Sequence, residues 1–159
     1  MPVGLKQASS VVSVGFSVNE SAANTFTQGS VDLNLSPLDR EVFVVLAVNL
    51  DPESPDMIDG LSTATNCSLT TTSQTATTSL ANSNCLSVSN ERIRAAPGVA
   101  VSFTQSALET PPATLEYIGI IATNDFFVQV TGSNNAAAKG VSGKMYGYRA
   151  IASADIYAA

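Results

Sequence analysis

Hydrophobic and polar residues alternate with a period of two along much of the chain, which marks strands with one buried face. Val12, Val14, Phe16 and Val18 share one side of an extended segment, with Ser13, Gly15 and Ser17 between them. Val31, Leu33 and Leu35 alternate with Asp32 and Asn34, and Val99, Val101 and Phe103 form another such face. So do Phe126, Val128 and Val130. Two runs, Val42 to Val48 and Tyr117 to Ala122, are apolar on both sides. They predict central strands covered on both faces, one cover being the facing sheet and the other a loop or a neighbouring subunit.

Turn signals separate these runs. Ser36-Pro37 precedes the first two-sided run, and the segment from Asp51-Pro52 to Asp59-Gly60 ends it. Pro97-Gly98 opens a later strand and Pro111-Pro112 closes the region after it. Asn124-Asp125 reads as a tight hairpin joining two strands, and Gly132 to Asn135 as another loop. Lys144 to Tyr157 reads as one long final strand, or two with a bend, with Tyr146 and Tyr148 on one face and Met145 and Ile151 on the other. One short helix fits at Asn90 to Ala96, capped by Asn90 and stopped by Pro97-Gly98. The pattern predicts an all-β, single-domain β-sandwich over residues 1–159 with about eight or nine strands, jelly-roll-like in preference to immunoglobulin-like.

The stretch from Leu61 to Asn90 contains no charged residue and is dominated by Ser, Thr, Asn and Ala. Thr favours strands, and low charge argues against a solvated tail. The stretch is therefore expected to be a β-hairpin or extended loop at an interface or in solvent, against the plainer alternative of a flexible loop.

Composition sharpens this picture. Of 159 residues, 45% are hydrophobic and only 13% charged, about half the usual charged share of a soluble domain. So few ionic groups suit a surface that something covers. Seven Lys and Arg stand against thirteen Asp and Glu, for a net charge of −6. The basic residues are scattered, and Met1 to Ser10 holds a single Lys, so direct nucleic-acid binding is not expected. The start, Met-Pro-Val-Gly-Leu-Lys, lacks a basic segment followed by an apolar one, so synthesis in a host cytoplasm without a leader is expected. No run approaches the ~20 apolar residues of a membrane-spanning helix, so no membrane partner is expected. Cys67 and Cys85 match no metal motif and read as small buried hydrophobes without a bridge.

The chain has no histidine. That removes Ser-His-Asp and Cys-His nucleophilic systems and the side chain best suited to proton transfer near neutral pH. Phosphate-loop glycine motifs are absent from the sequence. An enzyme is therefore not expected, and no catalytic or cofactor-binding residue is assigned. The dense carboxylates are Asp51, Glu53, Asp56 and Asp59, within one loop stiffened by two prolines. Hard oxygen donors at this density form a candidate Ca²⁺ site, the sole cofactor the sequence suggests. The competing reading is an acidic turn that caps the end of a strand.

Glu41 to Asp51, Tyr117 to Val130 and Met145 to Ala150 resemble segments of small virion structural proteins, the coat or decoration proteins of phages and other viruses. The resemblance is one of style across most of the chain: a leaderless β-domain rich in Ala, Ser, Thr and Val and poor in Lys, His and Trp. It implies a virion coat (capsid) subunit that self-assembles into a shell, with copies of itself and other virion proteins as partners. The missing basic arm departs from coat proteins that hold RNA directly. The alternative is a capsid decoration or cement protein, or a fibre-type receptor- or glycan-binding module using the Leu61 to Asn90 stretch.

Overall fold

The structure is a computed structural model that describes residues 3–106 and 115–158, so the turn predicted at Pro111-Pro112 lies outside the described residues. Ten strands alternate with short loops: β1 (Leu5–Gln7), β2 (Val12–Asn19), β3 (Thr27–Asp32), β4 (Glu41–Pro52), β5 (Thr63–Thr70), β6 (Cys85–Ala96), β7 (Val99–Ser106), β8 (Gly119–Ile121), β9 (Asp125–Ser133) and β10 (Gly140–Ala152). A short helix, α1 (Ala154–Ala158), follows. The strands form two antiparallel sheets, so the chain is an all-β sandwich.

In the first sheet β10 lies between β4 and the pair β1 and β2, which occupy successive stretches of its other side. The edge beyond β4 is β8. The second sheet runs β3-β9-β5-β6-β7. Neighbours in sequence thus often lie in different sheets, and the alternating apolar residues of both sheets meet between the layers. Val18, Phe43, Val45, Met145 and Val141 from the first sheet face Leu69, Phe126, Val128 and Val130 from the second. Phe16 and Phe126 join the layers edge to face, with ring centroids 5.8 Å apart.

The run Val42 to Val48 is the centre of this arrangement. Val42, Phe43, Val44 and Val45 are all buried. Phe43 and Val45 face the core between the sheets, while Val42 and Val44 face a second cluster on the outside of the first sheet. That cluster is closed by the chain's own residues: Leu5, Tyr117, Tyr148, Ile156 and Tyr157. The second cover of this strand is therefore intramolecular, and no neighbouring subunit is needed for it. The pairing of β4 with β10 slips at Leu46, where Tyr146 opposes Ala47 and Gly147 opposes Val45. One extra residue reverses the alternation, so that the even-numbered Val48 and Leu50 join the odd-numbered Phe43 and Val45 on the same core.

Several elements differ from the sequence expectation for identifiable reasons. The segment Asn90 to Ala96 is strand, because β6 is hydrogen-bonded to β5 on one side and β7 on the other, and Pro97-Gly98 with Gly98 at φ 78° turns a hairpin. The run at Tyr117 contributes only three residues of strand, at an edge and not the centre, and splits its apolar residues between the two clusters. Asn124-Asp125 crosses from β8 in one sheet to β9 in the other and forms no hairpin, and the Asn124 carbonyl accepts the Leu33 N–H at 2.6 Å. The final segment bends at Ser153 into α1, which lays Ile156 and Tyr157 over the outer cluster.

Candidate functional site: an exposed edge strand and a cleft beside it

β7 is exposed from Val99 to Gln105, on both faces. Its alternation is as regular as that of the core strands, and in sequence it reads as half-buried. In the fold it forms the outer edge of the second sheet, paired to β6 alone. Val99, Val101 and Phe103 point to the outside of the sandwich and are 65%, 54% and 51% exposed. The inner face carries Ala100, Ser102 and Thr104, also exposed. Val99–Ser106 contains no charged residue and no proline, and its outward backbone groups pair with no strand among the described residues. Met57, which is 74% exposed, shares a shallow cleft with Val99 at the hairpin end of the strand.

The uncharged stretch from Leu61 to Asn90 is the hairpin of β5 and β6 with a loop over residues 71–84. The loop folds back across the outer face of the second sheet. There Gln28, Gln129 and Ser68 stand side by side across three strands. Ser68 Oγ donates to Gln129 Oε1 at 2.7 Å, and Gln129 Nε2 donates to Gln28 Oε1 and Thr70 Oγ1 at 2.8 Å. The loop closes this row through Gln74 N–H to Gln28 Oε1 and Thr78 N–H to Ser68 Oγ. The adjacent row is Asn66, Asn90 and Gln105, again directly opposite one another. Among the described residues the loop makes no hydrogen bond to this row, which borders an open cleft beside residues 77–81.

The four carboxylates of the candidate Ca²⁺ site go to separate tasks. Asp56 Oδ1 accepts from Lys139 Nζ at 2.7 Å and Oδ2 from the Ala136 and Ala137 N–H groups, which holds its carboxyl below the ordinary value. Asp59 Oδ1 accepts the Gly98 N–H at 3.2 Å. Asp51 and Glu53 lie beside Ser17, Asn19 and Ser142 at another shallow recess. Among the described residues no three carboxylates or thiols gather as metal ligands. A carboxylate that the sequence did not single out makes as many contacts as Asp56: Glu20, 5% exposed, accepts the N–H groups of Thr25, Gly132 and Lys139 and ties the β2–β3 loop to the end of β9 and to the β9–β10 loop. A lone Glu after a strand gives no sequence signal for that role.

Cys67 is buried, and burial pushes its thiol up to about 12; Cys85 is half-buried, and both are free. Tyr148 is buried in the outer cluster of the first sheet.

Fold and surface together define a two-sheet antiparallel β-sandwich whose bare apolar edge and cleft-side amide row both belong to one sheet. No family model matches the chain, and no curated protein matches it. Among solved structures, a chain from Desmodium yellow mottle tymovirus is similar at a TM-score of 0.34 and 15% identity, over 96% of this chain and 91% of that one. No described helix is long and apolar enough to cross a membrane.

Proposed function

We propose that this chain is a non-enzymatic virion structural protein, a single-domain coat subunit that packs against copies of itself, with β7 as one contact. The observation that carries the reading is the exposure of Val99, Val101 and Phe103 on an uncharged edge strand. Edge strands of free-standing proteins are usually blunted by charge, proline or a covering segment, because a bare edge templates pairing with another chain. β7 has neither charge nor proline. A second copy running antiparallel satisfies both edges at once and brings the two apolar faces to one side, a two-fold contact in which each partner offers the same surface. Strand order supports a shell subunit as well. With β1 and β2 taken as one interrupted strand, and β7 taken as an addition at the edge, the order β2-β10-β4-β8 over β3-β9-β5-β6 supports a jelly-roll reading of this sandwich.

Light scattering on the purified chain tests this. The native protein is expected to form homo-oligomers in even numbers of copies, and Val101→Lys to reduce their mass to that of smaller species. A native chain that stays monomeric at high concentration, or a Val101→Lys variant of unchanged mass, overturns the reading.

A further inference from the structure

The cleft beside residues 77–81 is a second feature, which shares Gln105 with the proposed β7 contact. Its volume is about 620 Å³, within the ~300–1,000 Å³ that small-ligand sites occupy. One wall is the row Asn66, Asn90 and Gln105 with Arg92 next to it; the other is Thr77, Thr78 and Ser79, with Leu80 and Val88 between. The neighbouring row of Gln28, Gln129 and Ser68 shows what such side chains do when covered, since the loop bonds Gln28 and Ser68 and these two with Thr70 satisfy Gln129. Here, Asn66 Oδ1 and Thr78 Oγ1 are buried with no hydrogen-bond partner. Buried polar atoms are ordinarily paired, and both residues belong to the lining of this cleft, so the polar capacity of its walls is not used up within the chain.

Arg92 makes no ion pair with any described residue. Glu91, its neighbour in sequence, points to the opposite face of the strand by alternation and does not neutralise it. The lining thus offers one positive charge, matched to a monoanion. It also offers three amides at cross-strand spacings of about 5 Å, each with donors and an acceptor, opposite a line of hydroxyls. That pattern fits successive hydroxyl groups on a ring, with the apolar side chains against its C–H face. No aromatic side chain lines the cleft itself, and Phe103, directly opposite Arg92 on the same face, stands just outside it.

We propose that this cleft binds a sugar carrying a carboxylate, with Arg92 on the carboxylate and Asn66, Asn90 and Gln105 on the hydroxyls. Titration of the full chain with glucuronate, glucose and acetate, followed by NMR of the backbone amides, tests it. Glucuronate is expected to give saturable shifts around the cleft, with glucose about tenfold weaker, the order of a charge-assisted Arg contact at a wet site, and acetate weaker again. Arg92→Gln should erase the preference for glucuronate over glucose, and Asn90→Ala with Gln105→Ala should weaken both sugars. Acetate binding as well as glucuronate, no saturable response to glucuronate, or an Arg92→Gln variant with unchanged affinity overturns the proposal. Val101→Lys leaves the cleft intact and should bind glucuronate as the native chain does, so a failure of self-association and a failure of the sugar site are read separately.

Discussion

At the scale of single residues, two groups report on how the fold is held. Phe126 is fully buried and meets Phe16 edge to face at the centre of the sandwich. Truncation there removes contacts that join both layers, and Phe126→Ala should cost about 3–5 kcal/mol in urea unfolding. A loss under half of that would mean that the two sheets close over the gap. Asp56 acts through charge. Lys139 above all lowers its carboxyl from the ordinary 3.8, burial opposes this less strongly, and the Ala137 and Ala136 amides add smaller contributions in the lowering direction. A carboxyl lowered in the folded state contributes stability that is fully present above its unfolded value, and loses it as pH falls through the folded value. The stability advantage of the native chain over Asp56→Asn should therefore hold at neutral pH and shrink below about pH 3.8. A pH-independent difference would show that the carboxylate's charge contributes nothing. The same residue shows what spacing alone cannot express: the sequence groups Asp56 with Asp51, Glu53 and Asp59, and the fold pairs it with Lys139 from the β9–β10 connection.

At the scale of elements, what was legible in the sequence is the alternation itself. It located the strands at Val12 and Phe126 and the end of β3 at Val31, although Leu33 and Leu35 of that run lie beyond the strand, while the expectation of a hairpin or extended loop within Leu61 to Asn90 came from its Thr content and lack of charge. What alternation cannot express is which face another part of the chain will cover. The face at Val99 and that at Phe126 look alike in sequence, yet one is at the surface and the other has no exposed area. The two-sided run at Val42 was legible as doubly covered, while the identity of the outer cover was not, since Leu5, Tyr117 and Ile156 come from three distant segments. The bulge at Leu46 was hidden for a related reason, because a run apolar at every position keeps its appearance when its phase shifts. The helix α1 has no buried residue of its own, but Ile156 and Tyr157 pack on the outer cluster. Removal of residues 153–159 should therefore lower the melting temperature and raise the binding of a hydrophobic dye, as Val42 and Val44 lose their cover. Unchanged dye binding would show that the remaining residues seal the sheet without it.

At the scale of the whole molecule, the interior is closed by the chain's own residues while large apolar side chains stay exposed outside it. Both apolar clusters are completed within one chain, so the proposed self-association is not needed to fill the core. Exposed large apolar side chains include Leu38, Met57 and the face of Val99, Val101 and Phe103, the last of these on an edge strand. Folding and association are then separable: the melting temperature of the native chain should rise with protein concentration by mass action, while that of Val101→Lys should be concentration-independent. Equal concentration dependence in the two would place the contact elsewhere.

The free margin of β7 has a valence of one. A ladder of backbone donors and acceptors that has taken an antiparallel twin is saturated, and the twin is saturated with it, so neither can recruit a third chain by the same route. Growth past a pair has to use a different patch, and Leu38, at 96% exposure on the turn before β4, lies well away in sequence from the first contact. A particle built from such couples would be assembled from two-chain bricks, and arresting the second patch should leave those bricks intact in solution.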